Sequence, residues 1–191
     1  MRVCVEGNIG CGKSTALALL AHGRPDVRVF PEPVEEWKSM LGKFYDDPAT
    51  WALPFSLKVL LSFHAPGKVP TDDKVLVERS PMSCRHVFSQ LMFNEGKMSQ
   101  DQWDIFKEYC DILSWTPDAI VYVHVPADVC HRRMLDRGRP EERDVGLAYL
   151  KRLEFQYETM LRYADVPVVR VDGTLPPEAV AARIADVLDG W

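Results

Sequence analysis

Several features that would mark a specialised class of protein are missing from this sequence. Its five cysteines, Cys4, Cys11, Cys84, Cys110 and Cys130, are odd in number and contain no C-x-x-C pair. That pattern argues against a disulfide framework or a zinc ribbon and suits a reducing, intracellular (cytoplasmic) compartment. The histidines His22, His64, His86, His124 and His131 show no ligand spacing, so they are assigned no metal. No apolar run approaches the roughly 18 residues of a membrane span; the longest candidate, Trp51 to Phe63, is broken by Pro54 and Lys58. Nothing before the first strand looks like a signal segment. An excess of basic charge is also absent: 23 Lys+Arg against 28 Asp+Glu leave a net charge of −5, which argues against a nucleic-acid or membrane-binding surface. With no repeat, low-complexity tract or interdomain linker, residues 1–191 are expected to form a single domain.

What remains is the composition of an ordinary globular domain, 47% hydrophobic and 27% charged. Short β-branched runs alternate with longer periodic ones, the signature of an α/β fold with a parallel sheet and crossover helices. Five strands are predicted: Arg2 to Glu6, Val27 to Phe30, Lys74 to Glu78, Ala119 to His124 and Val168 to Val171. Helices are predicted over Lys13 to Ala21, Val34 to Leu41, Pro48 to Phe63 and Pro81 to Asn94, then over Gln100 to Ser114, Ala127 to Arg137, Gly146 to Tyr163 and Pro176 to Leu188. Ser99 caps one start and Pro176-Pro177 opens another. Ala65 to Asp73 reads as a loop, and Gly138 to Asp144 as a charged segment between helices.

The first strand runs into Gly7-Asn8-Ile9-Gly10-Cys11-Gly12-Lys13-Ser14-Thr15, a full match to G-x-x-x-x-G-K-[S/T] between a strand and a helix. Glycines permit the tight turn that points successive N–H groups at phosphates. The helix N-terminus adds partial positive charge, and Lys13 reaches the β/γ-phosphates. Ser14 is suited to hold Mg²⁺ through its hydroxyl. Cys11 reads as a small filler of the loop in preference to a reactive thiol.

Ligands of open parallel sheets bind beyond the carboxyl ends of the strands. Glu32 follows the second strand between Pro31 and Pro33, where a carboxylate can take a proton from an attacking hydroxyl. Glu35 and Glu36 complement the dipole of the next helix. Glu78 closes the third strand as a magnesium partner, with Arg79 beside it to neutralise a transferring phosphoryl group. Arg133, Arg137 and Arg139 lie on or after one helix face, with Gly138 as hinge, as in a lid over about residues 133–144. Trp37, Tyr45, Trp51, Phe55, Phe63 and Phe88 offer material for a base-stacking slot, although most aromatics at helical spacing are core.

Together these motifs, EGNIGCGKST at Glu6 to Thr15, EPVEEW at Glu32 to Trp37, YDDPATWALPF at Tyr45 to Phe55, ERSPMSCR at Glu78 to Arg85 and RGRPEE at Arg137 to Glu142, resemble the deoxynucleoside kinase family. The resemblance implies a P-loop kinase fold with sheet order 2-3-1-4-5, helices on both faces, an arginine-rich lid and a homodimer. It implies ATP- and Mg²⁺-dependent phosphorylation of 2′-deoxynucleosides at the 5′-hydroxyl. Glu32 would be the base, Arg79 a contact to the 5′-oxygen and phosphoryl group, and Glu78 the magnesium partner or, as second choice, the proton acceptor. Tyr45 and Glu142 would bind the sugar 3′-hydroxyl, Phe88 would stack on the base, and Ile9, Trp37 and Phe55 would wall the pocket. Arg133, Arg137 and Arg139 would be lid arginines, and Asp172 with Gly173 would lie near the adenine of ATP.

Val59 and Cys84 stand where family members favouring deoxycytidine or purines place a charged pair, which implies a pyrimidine-accepting pocket. Ser56 replaces the family glutamine after the Pro-Phe pair and is too short for the same bidentate contact. Competing readings are a thymidylate-type monophosphate kinase and a catalytically silent nucleotide-binding subunit. No N-K-x-D motif supports a GTPase.

Overall fold

The computed structural model describes residues 1–69 and 73–190. Five parallel strands, β1 (Arg2–Glu6), β2 (Val27–Phe30), β3 (Lys74–Glu78), β4 (Ala119–His124) and β5 (Val168–Asp172), form one sheet in the order β2-β3-β1-β4-β5. Between them run α1 (Lys13–Gly23), α2 (Val34–Asp46), α3 (Pro48–Ser62) and α4 (His64–Gly67), then α5 (Pro81–Ser83), α6 (Gln90–Asn94) and α7 (Gln100–Leu113), and finally α8 (Ala127–Arg137), α9 (Leu147–Arg162) and α10 (Pro177–Asp189). The fold is therefore the α/β, P-loop kinase arrangement with the expected strand order.

The central strand explains the layering. All five residues of β1 are buried, and its side chains alternate between faces. Val3 and Val5 enter the core built with α1, α8, α9 and α10, whereas Cys4 enters the core built with α2, α3 and α7. Strand β3 alternates in the same way, Leu76 joining the first core and Val75 and Val77 the second. Fully burying a large apolar side chain contributes about 1.5–3 kcal/mol, and Leu17, Ile120, Leu150, Leu153 and Ile184 each do so at no more than 1% exposure. These two cores fix β1, and with it the phosphate-binding loop, at the middle of the sheet.

The structure corrects several predicted boundaries. Helix α2 does not stop at Leu41: it continues through Gly42 to Asp46, because Phe44 is buried and stacks on Phe55 of α3 at 5.4 Å between ring centroids. Asp47 then ends α2 and caps α3 through Thr50 N–H. The helix predicted over Pro81 to Asn94 is interrupted by a π-helical turn over Cys84–Ser89. The first part of the predicted loop Ala65 to Asp73 forms α4, anchored where Arg2 donates to the carbonyls of Gly67 and Val69, both at 3.0 Å. The rest of that loop, residues 70–72, lies outside the described residues. Within Gly138 to Asp144, Pro140–Glu142 forms one 3₁₀ turn. Among the described residues no helix is long and apolar enough to cross a membrane.

Candidate active site

The loop between β1 and α1 is built on backbone conformations that a side chain opposes. Gly7, Gly10 and Gly12 have φ of 149°, 81° and 97°. A Cβ on Gly10 would lie 2.4 Å from the Cys130 carbonyl oxygen, and one on Gly7 2.6 Å from that of Val123. Lys13 is buried, and its ammonium donates to the carbonyls of Gly7 and Asn8 at 3.0 and 2.9 Å, inside the loop's curve. Asn8 braces the loop from behind: its amide donates to the Leu150 carbonyl at 2.8 Å, and its Oδ1 accepts from Ile9 N–H at 2.9 Å. Cys11 is buried within the loop, whereas Thr15 lies exposed on the first turn of α1. The thiols of Cys84 and Cys130 are pushed above their ordinary range by burial.

Three residues at or just after strand ends meet Ser14 of α1 beside this loop. Ser14 Oγ donates to Glu78 Oε1 at 2.7 Å, and Glu78 Oε2 accepts from the Glu32 backbone N–H at 3.3 Å. A hydroxyl and a carboxylate converging at a phosphate loop are the hard oxygen donors that Mg²⁺ selects, so these two residues fit that ion. Arg79 donates from its guanidinium to Glu32 Oε2, forming a nearly buried ion pair. Burial works against the Arg79 charge, but Glu32, with Tyr157 and Glu78 behind it, holds its pKa well above the ordinary value. Arg79 is the one non-glycine residue of positive φ among the described residues, at 65°. That conformation costs about 1–2 kcal/mol. It turns the chain out of the sheet at the point where the guanidinium must face Glu32, while Arg79 N–H still bonds Val5 O at 3.0 Å.

From this polar end a cleft of about 890 Å³, counting its open mouth, runs between α2, α3 and the π-helical turn. Lys13, Glu32 and Arg79 line its polar end; Trp37, Phe55 and Val59 wall the other. Phe88 lines the cleft and holds the Arg79 guanidinium 4.7 Å from its ring centroid. Ile9 closes the side next to the loop. Ser56, Ser83, Cys84 and Ser89 supply polar atoms in the apolar half, and Ser89 donates to Ser56 Oγ at 3.0 Å. The sequence reading missed Ser83, in α5, and Ser89; for Ser89 the π turn is the reason, because it changes which side chains of 84–89 share a face. Nothing in the hydrophobic pattern signals such a bulge. Tyr149, also missed, reaches the cleft from α9.

Glu142 also lines the cleft; it is buried and accepts from Arg137 at 2.8 and 2.6 Å, with Arg139 at 3.6 Å. Tyr45 lies close enough that burial, with the Glu142 charge adding to it, pushes its pKa up to about 12. Arg133 is set apart from Arg137 and Arg139: it sits in α8 and donates to the Gly173 carbonyl at 2.9 Å, which ties β5 to the helix beside the loop. Gly173 has no room for a Cβ, which would lie 2.5 Å from a Val125 methyl. Asp172 is exposed and accepts from Thr174 N–H and Oγ1 at 2.8 and 2.7 Å, so its carboxylate is used in a local turn.

A parallel sheet in this order, a glycine loop with a buried lysine at the tip of its central strand, and a cleft lined by arginines define a P-loop phosphotransferase. Comparison narrows the class: the family model described as deoxynucleoside kinase matches residues 3–185. The chain belongs to the deoxynucleoside kinase family. It is 34% identical to the thymidine kinase of Ictalurid herpesvirus 1 (strain Auburn) over 97% of this chain and 84% of that protein. It is 32% identical to mitochondrial thymidine kinase 2 of Homo sapiens over 83% of this chain and 63% of that protein. Deoxycytidine kinase 2 of Gallus gallus is 28% identical over 84% of this chain and 73% of its own length. The chain is accordingly a kinase that phosphorylates nucleosides, with ATP the donor that the family implies.

Proposed function

We propose that the protein transfers the γ-phosphoryl group of ATP to the 5′-hydroxyl of pyrimidine 2′-deoxynucleosides, thymidine and deoxycytidine among them, as a salvage enzyme of the cytoplasm. One observation carries this reading: a single cleft joins the Lys13–Glu32–Arg79 cluster to an aromatic-walled slot. The loop N–H groups and Lys13 cradle the donor phosphates. Glu32 accepts the 5′-hydroxyl proton, and Arg79 leaves its ion pair to neutralise charge on the transferring group. Ser14 and Glu78 are the residues that would hold Mg²⁺, which would supply positive charge to offset that of the phosphates. Tyr45 and Glu142 bind the sugar 3′-hydroxyl. Glu142 accepts at most a few hydrogen bonds, so its carboxylate is shared between sugar and Arg137 as the 133–144 lid, with Arg133, Arg137 and Arg139, closes over the phosphates. Asp172 and Gly173 lie near the adenine. Phe88 stacks on the base between the walls made by Ile9, Trp37 and Phe55.

Small, neutral Val59 and Cys84 leave room for a pyrimidine with a 5-methyl group, and the Ser56–Ser89 hydroxyl pair supplies polar atoms at the base edge. One domain, residues 1–191, carries this reaction, and the active form is a homodimer: Ile105, Tyr109 and Ile112 form an exposed stripe at helical spacing on α7, 44%, 47% and 76% exposed. Sedimentation of the purified protein checks the dimer.

The deciding experiment offers the four deoxynucleosides and thymidine monophosphate with ATP and magnesium in one assay. Turnover of thymidine and deoxycytidine is expected. Phosphorylation of the monophosphate alone would replace this reading with a nucleotide kinase, and binding without turnover on all five would leave a silent subunit.

A further inference from the structure

The glutamate that opens the phosphate-loop motif has no part in the chemistry above, yet its burial is complete. Glu6 ends β1 at 0% exposure, and its Oε1 accepts from Ser80 Oγ at 2.5 Å. Ser80 directly follows Arg79, and its Oγ also accepts from Ser83 N–H at 3.2 Å, capping α5. One carboxylate oxygen therefore grips the turn that forces Arg79 into its left-handed backbone. Strained backbone of this kind persists only where its surroundings over-determine it.

The second oxygen points to the same residue. Glu6 Oε2, Arg79 Nε and Tyr157 Oη are all buried without a hydrogen-bond partner among the described residues. They are one acceptor and two donors. Burial pushes the Glu6 pKa up, and Ser80, Ser83, Arg79 and Lys13 oppose that rise; burial likewise raises Tyr157, on which Glu6 and Arg79 also act. The unpaired atoms thus belong to residues of one neighbourhood around Arg79. Buried polar atoms are nearly always hydrogen-bonded, so three unpaired ones on neighbouring residues call for a specific cause.

We propose that Glu6 is a positioning residue for phosphoryl transfer, which with Tyr157 holds Arg79, through Ser80 and through its free oxygen, so that the guanidinium is aimed across the cleft at Glu32 and the 5′-oxygen. Resting on the kinase reading, this inference adds a further carboxyl group to the machinery, one that never touches substrate.

The test is Glu6→Gln, which preserves volume and one acceptor but replaces one carboxyl oxygen by an amide donor, alone and combined with Arg79→Lys. Turnover is expected to fall about tenfold with KM for thymidine and ATP within twofold of wild type. In the Arg79→Lys background the same change should cost less than twofold, because Glu6 acts through Arg79. A kcat within twofold of wild type overturns the proposal, as does a full tenfold loss in the Arg79→Lys background, or a loss accounted for by KM or by unfolded protein in a thermal melt. Should Glu6→Gln fail to fold, Tyr157→Phe, expected to lower kcat about threefold at unchanged KM, is judged by the same cycle. A crystal structure of the variant gives a readout independent of turnover: an Arg79 displaced from Glu32 is expected, and an unmoved one overturns the inference. Wild-type inactivity on every acceptor would count against the kinase reading alone.

Discussion

The two ends of the cleft are built in different ways. At the phosphate end, nine consecutive residues supply the loop, and its shape rests on glycine backbone and on Lys13 bonding the loop's own carbonyls. At the base end, no two adjacent elements suffice: α2, α3 and the π-helical turn bring Trp37, Ser56 and Ser89 together from distant parts of the chain. A local motif makes a phosphate site that cannot vary much, since backbone N–H groups are the same in every protein. A wall of side chains on separate helices can be re-lined one position at a time, which is where selectivity belongs.

Substitutions at the phosphate end should therefore lower turnover for every acceptor alike, whereas those at the base end should change the ratios between acceptors. The largest effect is expected from Lys13→Ala, a loss on the order of a thousandfold in kcat with thymidine and deoxycytidine equally affected. Glu32→Gln comes next, lowering kcat about a hundredfold or more while nucleoside binding, followed through Trp37 fluorescence, stays near wild type. If either variant altered the thymidine-to-deoxycytidine ratio, the division between the two ends would be lost.

Gly10→Ala tests the rigidity of the loop. Its φ of 81° and the Cys130 carbonyl 2.4 Å from the new methyl should cost about 1–3 kcal/mol, measured by denaturant unfolding, along with most of the activity. At the opposite end, Ser56→Gln should preserve overall turnover within a few-fold and shift the acceptor ratio by about tenfold, the scale of one hydrogen bond gained or lost. An unchanged ratio would remove Ser56 from base recognition.

The smallest effect lies outside the cleft, where Asp189 at the end of α10 joins Arg24 and Lys74. Hydrogen bonds from Arg24 and then Lys74 lower its pKa to about 2. A depressed carboxylate stabilises the fold above the ordinary aspartate range, and that contribution disappears as pH falls toward 2. Asp189→Asn should flatten acid unfolding over that window and leave kinetics at neutral pH untouched.

Much of this architecture was readable before any coordinates. Four strands coincide with their predicted limits and the fifth is longer by Asp172 alone, because short β-branched runs between longer helical segments mark the strands of a parallel sheet, at its half-exposed edges β2 and β5 as well as in its buried centre. Lys13, Ser14, Glu32, Glu78 and Arg79 were legible because each sits at a strand end or in a motif whose spacing is local. Ser89, Tyr149 and the buried role of Glu6 were not. A π turn leaves no periodic trace, and a glutamate beside a glycine loop looks the same in sequence whether it faces water or is sealed beneath Arg79.

By itself, the order of residues determined what depends on neighbours in the chain: which segments are strand or helix, the curve of the phosphate loop, and the charges placed at the strand ends. Tertiary structure alone decided that β3 lies beside β1, so that Ser80 meets Glu6 across 74 positions. It also decided that Arg79 bends into a left-handed conformation to reach Glu32. The reason is physical: local geometry follows from steric and hydrogen-bonding rules a few residues long, whereas a buried charge is tolerated only where packing from several elements supplies its partners.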